Sequence, residues 1–77
     1  MEKEQLRAMR LFEKKSIRAF AESIGVSHST IFDAESGRRS VSPSLRGKVA
    51  AVYELSPAFL AFYDNYLRMS KAVPSPK

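Results

Sequence analysis

The chain has 77 residues, 44% hydrophobic and 27% charged, which is the balance of one small folded domain. It contains no cysteine and a single histidine, His28, which excludes a disulfide framework, a cysteine-based zinc site and a histidine-rich metal cluster. No stretch approaches the roughly 18 apolar residues of a membrane span, and the N-terminus lacks the apolar region of a signal peptide. We therefore expect a cytoplasmic protein that uses no metal, cofactor or small-molecule substrate.

Basic residues exceed acidic ones, and the excess is local. Thirteen lysines and arginines stand against eight acidic residues, which gives a formal charge of +5. Residues 37–50 hold Arg38, Arg39, Arg46 and Lys48 and contain no acid. A concentrated basic segment of this kind suits a polyanionic partner better than an evenly basic surface does.

The spacing of apolar residues predicts an all-α fold of five helices. The first helix is expected over about residues 2–14. A second follows Ser16, which can cap it, and ends at Gly25, because glycine tolerates the left-handed conformation after a helix. A third is expected over about residues 28–35, with Ser27 as its cap.

Two further helices are predicted from a repeated start signal. Ser42–Pro43 and Ser56–Pro57 each place a serine cap before a proline at the first helical position. These signals predict helices over about residues 43–54 and 57–71. The remaining residues, 72–77, contain two prolines and no apolar pattern.

The predicted organisation is therefore one folded domain over residues 1–71, followed by a disordered tail or linker over residues 72–77. The core is expected to form from apolar residues that recur at helical spacing. These residues are Leu6, Met9, Phe12, Phe20, Ala21, Ile24, Val26, Ile31, Ala34, Leu45, Val49, Val52 and Leu55.

Residues 16–36 have the features of a helix-turn-helix. Gly25 supplies the turn, and Ala21 is small enough for the two helix axes to approach. The second helix of the pair, about residues 28–35, presents Ile31 to the rest of the domain. Its other face carries side chains that are expected to contact DNA base edges, short and polar except for one phenylalanine: His28, Ser29, Phe32 and Asp33.

In this segment the sequence resembles the lambda, 434 and Xre-like repressor family, whose pattern is roughly A-x-x-x-G-V-S-x-x-x-I-x-x-x-E-x-G. Seven positions match: Ala21, Gly25, Val26, Ser27, Ile31, Glu35 and Gly37. The resemblance covers most of the chain. It implies a compact five-helix domain whose third helix lies in the major groove. We therefore expect a sequence-specific transcriptional repressor, encoded by a bacterium, a phage or a mobile element, that binds a palindromic double-stranded operator as a homodimer.

Two of the predicted base contacts have alternative interpretations. Phe32 either tucks against the loop before the fourth helix or contacts a thymine methyl group. Asp33 either accepts a hydrogen bond from cytosine N4 or is neutralised by Arg38 or Arg39.

The resemblance also implies that the loop after the third helix follows the DNA backbone. Together with the serine-capped helix starts, this gives a set of predicted phosphate contacts. They are Lys15, Ser16, Ser27, Arg38, Arg39, Ser40, Ser44 and Arg46. The resemblance further implies a structural ion pair between Arg10 in the first helix and Glu35 at the end of the third.

The fifth helix has more apolar surface than a core-facing stripe needs. Its large apolar residues cover about half of the helix circumference. They are Phe59, Leu60, Phe62, Tyr63, Tyr66, Leu67 and Met69. The helix either closes the core with a few aromatics exposed or provides a dimer interface, and the enrichment in aromatics and methionine favours the interface.

Two other function classes compete with a DNA-binding regulator. A helical protein–protein interaction module would use the same scaffold, with Phe32 and Asp33 facing a protein partner. An enzyme is disfavoured, because the chain has one histidine, no cysteine and no glycine-rich phosphate loop. Salt-dependent binding to duplex DNA separates the regulator from the interaction module.

Overall fold

The computed structural model describes residues 1–72, and within that range it contains five α-helices and no strand. The helices are α1 (Lys3–Phe12), α2 (Ile17–Ile24), α3 (His28–Ser36), α4 (Pro43–Val52) and α5 (Pro57–Ala72). α2 packs against α3 and α4, while α1 packs against α3 and α5. The predicted all-α architecture of five helices is confirmed.

The ends of two helices differ from the prediction. α4 ends at Val52 rather than at about residue 54. α5 extends through Ala72, the first residue of the predicted tail, and the rest of that tail, residues 73–77, lies outside the described residues.

Local sequence signals set the starts and ends of the helices. In four helices the hydroxyl of a serine accepts the backbone N–H three residues further on, at 3.0–3.3 Å. These four serines are the predicted caps Ser16, Ser27, Ser42 and Ser56. Each cap satisfies an N–H that has no partner inside its helix, which stabilises the helix by about 1 kcal/mol. α2 and α3 end at Gly25 and Gly37, whose φ angles of 76° and 84° lie in the left-handed region that glycine enters without steric cost.

All five helices contribute residues to the core. Its buried apolar residues are Leu6, Ala8, Met9, Phe20, Ala21, Ile24, Ile31, Ala34, Leu45, Val49 and Phe59. Aromatic rings close the end near α5, where Phe12 meets Phe59 edge-on with ring centroids 5.6 Å apart and also touches Phe62 at 5.4 Å. These contacts bring the last turn of α1 against the first two turns of α5.

Two predicted core residues at the end of α4 are instead exposed. Val52 and Leu55 are 51% and 55% exposed. The inward position belongs to Tyr53, which continues the row of core residues spaced four apart along α4. Its ring stacks on Phe20 with centroids 5.1 Å apart, and its hydroxyl lies 2.6 Å from the hydroxyl of Ser23.

Other core predictions shift by smaller amounts. Phe12 and Val26 are half-buried at the edge of the core, whereas Ala8 and Phe59 are buried although neither was predicted there. The burial of Phe59 also corrects its assignment to the dimer interface. Its side chain is 0% exposed because it faces Phe12 from the first turn of α5, so it is not available to a partner.

A buried ion pair joins α1 to the end of α3. Arg10 Nε donates to Glu35 Oε2 at 2.7 Å, and Arg10 Nη2 donates to Glu35 Oε1 at 3.0 Å. The Glu35 side chain is 2% exposed, and the hydrogen bond to it raises the pKa of Arg10. Arg7 Nε also reaches Glu35 Oε1 at 3.4 Å, and Arg10 Nη1 donates to the carbonyl of Lys15 at 3.0 Å. This cluster ties α1, the α1–α2 loop and α3 together.

The ion pair leads to a stability prediction. Glu35→Gln leaves the Arg10 guanidinium largely buried without its charge partner, so we expect the free energy of unfolding to fall by about 3 kcal/mol. The matched control, Asp64→Asn, breaks the exposed Asp64–Arg68 pair on α5, whose atoms lie 3.0 Å apart. An exposed pair of this spacing contributes less than about 0.5 kcal/mol. Urea unfolding followed by far-ultraviolet circular dichroism measures both, and equal losses would contradict the structural role of the pair.

Candidate nucleic-acid interface

α3 buries one side and presents the other to solvent. Ile31, Ala34 and Glu35 are buried, and the first two pack in the core. Three of the four predicted base-contacting side chains are exposed on the other side: His28, Ser29 and Phe32. They lie on one face because they occupy the first turn of the helix and the position directly above it.

The start of α2 lies beside this exposed face. Residues from α2, from α3 and from the end of α1 line one open groove: Arg10, Ser16, Ile17, Arg18, His28, Ser29 and Phe32. The groove surface is mainly apolar, because Ile17 and Phe32 contribute their side chains to it. Phe32 is 51% exposed and borders this groove.

Asp33, the fourth predicted base contact, is paired with the loop that follows α3. Its Oδ1 lies 3.7 Å from Arg38 Nη1, and its Oδ2 lies 3.9 Å from Arg39 Nε. The backbone N–H of Arg39 also donates to the carbonyl of Asp33 at 3.2 Å. The arginine side chains remain 72% and 80% exposed. The geometry therefore fits the interpretation in which Asp33 is neutralised, and it leaves both guanidinium groups open to solvent.

Three hydroxyls cluster at the start of α3. Ser27 Oγ lies 3.2 Å from Ser29 Oγ and 2.9 Å from Thr30 Oγ1. All three residues are exposed, and each hydroxyl can both donate and accept a hydrogen bond. The cap of α3 thus also presents a small polar surface next to His28.

The other predicted phosphate-contacting residues lie at several places on the surface. Ser40 is exposed in the α3–α4 loop, Ser44 is exposed in the first turn of α4, and Lys15 is half-buried in the α1–α2 loop. Arg46 borders a different groove, between α1 and α4, whose lining includes none of the described α3 residues. Among this set, Ser16 shares the groove of the exposed α3 face, whereas Arg46 does not.

α5 retains part of the apolar surface that was predicted for it. Phe62, Tyr66 and Met69 line a shallow and mainly apolar groove together with Asn65 and Ser70. The rings of Phe62 and Tyr66 stack with centroids 6.2 Å apart, and Met69 is 60% exposed.

The rest of the α5 set is spread around the helix. Tyr63 is half-buried and stacks on Phe59 with centroids 5.9 Å apart, and burial raises its pKa. Leu67 is also half-buried, whereas Leu60 is 47% exposed. Leu60 and Met69 are nine positions apart, which places them on opposite sides of the helix. The exposed apolar residues of α5 therefore do not form one continuous face.

Sequence reasoning missed three residues of this region. Ile17 is the first residue of α2 and was not expected at the site, although its side chain borders the groove. Arg18 was not considered, yet its position two residues after the cap Ser16 places it in the first turn of α2. Arg7 was missed as a second partner of Glu35, a contact that depends on how α1 crosses α3.

No group of three or more acidic or histidine side chains within residues 1–72 is arranged to hold a metal ion. In the same residues, no helix has the length and apolar character needed to cross a bilayer.

The helix-turn-helix family model matches residues 6–60 of the chain. Comparison with curated proteins and with solved structures returned no match. The matched segment begins in α1 and ends in the first turn of α5, so it includes the Arg10–Glu35 pair and the complete α2–turn–α3 unit. This family indicates a DNA-binding transcription regulator. The chain belongs to the helix-turn-helix family of the lambda repressor and Xre type.

Proposed function

We propose that this protein is a sequence-specific transcriptional repressor that inserts α3 into the major groove of duplex DNA. The observation that carries the proposal is the two-sidedness of α3. Its inner side is anchored by Ile31 and by the Glu35 ion pair, while its outer side presents His28, Ser29 and Phe32 to solvent. An anchored helix with short polar side chains outside can enter a groove without first becoming ordered.

The residues next to α3 provide groups that attract the phosphates on either side of a DNA groove. Ser16 and Ser27 are exposed caps, so the first-turn N–H groups of α2 and α3 lie at the surface, where helix N-termini favour anions. Arg38 and Arg39 add exposed positive charge after α3. We infer that these groups contact the DNA backbone and orient α3, while the bases are read by its exposed face.

We further propose that the protein binds a palindromic operator as a homodimer. A single recognition helix reads only a few base pairs, and two half-sites about one helical turn apart supply the missing specificity. The α5 groove of Phe62, Tyr66 and Met69 supports a small two-fold interface, because aromatic and methionine side chains are enriched in such contacts. Association is then weak in free solution and firm on DNA.

Selection of bound sequences from random duplex DNA tests this function. We expect an enriched palindrome whose half-sites are centred about 10 base pairs apart. If no sequence is enriched and binding to duplex DNA does not depend on salt, a protein-interaction module is the better description.

The arginine loop leads to a prediction about salt dependence. Loss of two phosphate contacts per subunit in Arg38→Ala/Arg39→Ala removes about four contacts from a dimer, so the slope of log affinity against log salt should decrease in magnitude by roughly 3 to 4. Affinity for operator and for random DNA should fall alike. The companion variant Asp33→Asn removes the charge that pairs with the same arginines, and we expect it to strengthen binding to random DNA. Fluorescence anisotropy over a salt series measures both variants, and unchanged slopes would contradict the assignment.

The exposed face of α3 leads to a prediction about base preference. His28→Ala or Ser29→Ala should weaken binding to the selected operator by about 1–3 kcal/mol for each base contact removed. Binding to random DNA should stay the same, since neither residue is expected to carry the general attraction for phosphates. Competition assays with operator and random duplexes measure this difference, and an intact base preference in the double variant would place recognition elsewhere.

The α5 groove leads to a prediction about cooperativity. Met69→Lys places a charge in the proposed interface, and we expect it to lower the affinity for a two-half-site duplex about tenfold, as expected for an interface contact. Binding to a single half-site should not change. The control is Val52→Lys, which charges another exposed apolar position, at the end of α4. Gel-shift titrations on one-site and two-site DNA compare the two variants. A loss of cooperativity in the Val52 variant alone would place the interface at the α4–α5 corner instead.

A further inference from the structure

The groove between α2 and α3 has an unusual chemistry for a surface that faces a polyanion. Its walls include Ile17, which is half-buried, and Phe32, which is 51% exposed. Of the exposed side chains of α3, a helix that the structure describes completely, only Phe32 is apolar. The apolar surface of an exposed phenylalanine contributes favourable free energy when an apolar group of a partner covers it and removes it from water.

The groove is continuous with the surface that we propose reads DNA. His28 and Ser29 of the exposed α3 face border the same groove, and so does Ser16 at the start of α2. A molecule that contacts His28 and Ser29 therefore also lies next to Phe32. In the major groove of a duplex the base edges are polar, with one exception, the C5-methyl group of thymine.

We propose that Ile17 and Phe32 together form a subsite for the C5-methyl group of one thymine in each half-site. This inference rests on the proposed function and adds to it a specificity-determining residue, Ile17, that lies outside the recognition helix. Phe32 supplies one apolar wall from α3, and Ile17 supplies the other from the first turn of α2. Burial of the methyl group between them removes apolar surface of both molecules from water.

The pattern of hydrogen-bond donors and acceptors favours thymine over a methylated cytosine. Arg18 borders the groove and is exposed, and its guanidinium group only donates hydrogen bonds. Next to its methyl group, thymine presents the O4 acceptor, whereas a 5-methylcytosine presents the N4 amino donor. Arg18 can therefore donate a hydrogen bond to the O4 of thymine, whereas it would place a donor against the N4 donor of 5-methylcytosine.

The experiment replaces a single methyl group in the DNA. In the selected operator, each thymine is exchanged in turn for deoxyuridine, which keeps the base pair, O4, sugar and phosphate but lacks the C5-methyl group. We expect one position per half-site at which the exchange weakens binding about fourfold, the value of one buried methyl group. In a second arm, a 5-methylcytosine pair at that position should not restore the affinity.

The protein variants assign that effect to the groove. Phe32→Ala, at a position that is 51% exposed, should bind thymine and deoxyuridine operators equally, and Ile17→Thr should reduce the difference between them. The control is Leu11→Ala, which removes an apolar side chain of similar exposure, 41%, outside the groove lining. It should discriminate between the two operators as the unmodified protein does.

The outcomes separate the two proposals. Specific binding in which every deoxyuridine exchange is tolerated, or in which Phe32→Ala still prefers thymine, overturns the methyl subsite and leaves the regulator function standing. Equal restoration by 5-methylcytosine overturns the choice of thymine. Absence of any sequence-specific binding to duplex DNA overturns both.

Discussion

The ion pair between Arg10 and Glu35 is the polar contact that fixes α3 in the domain, and it acts together with the core packing of Ile31 and Ala34. A carboxylate that is 2% exposed is costly to leave unpaired in a small core, because the desolvation of one ion costs several kcal/mol against a total stability of about 5–15 kcal/mol. Arg10 meets this carboxylate with two nitrogens and uses a third to hold the carbonyl of Lys15. One guanidinium group thus holds α1, the loop before α2 and the end of α3 in a single arrangement. The Arg10–Glu35 contact on the buried side of α3 therefore helps to set the orientation of its exposed face.

The N-terminal caps of α2 and α3 both stabilise these helices and leave N–H groups near the surface. The serine hydroxyls that cap α2 and α3 satisfy one N–H group each and leave the remaining first-turn N–H groups near the surface. Since Ser16 borders the groove beside the start of α3, two helix N-termini lie close to the same exposed face. Gly25 makes this closeness possible, because its left-handed conformation turns the chain within a few residues.

The charges and the apolar groove of this region act on different parts of recognition. Asp33 offsets the positive charge of Arg38 and Arg39, so the attraction of the loop for any phosphate is weaker than two free arginines would give. In the subsite that we propose, Phe32 and Ile17 add a contact that depends on the shape of a base and not on charge. A weaker attraction to phosphates, combined with a contact that depends on the base, raises the ratio of specific to non-specific affinity for DNA. This ratio decides which site is occupied when many non-specific sites compete.

The sequence by itself determined the features that depend on neighbouring residues. Serine caps and glycine ends act within one turn of a helix, so the starts of the helices after Ser16 and Ser27 and the end at Gly25 could be predicted from the local pattern. Three of the four side chains expected on the outer face of α3 are exposed, because the helical spacing already placed the core residues Ile31 and Ala34 on the opposite side. Only the tertiary structure decided which side of each remaining helix faces inward, because an apolar residue is buried only where another element covers it. Packing between helices therefore buried Phe59 against Phe12, put Tyr53 in the place expected for Val52, and placed Ile17 at the edge of a groove.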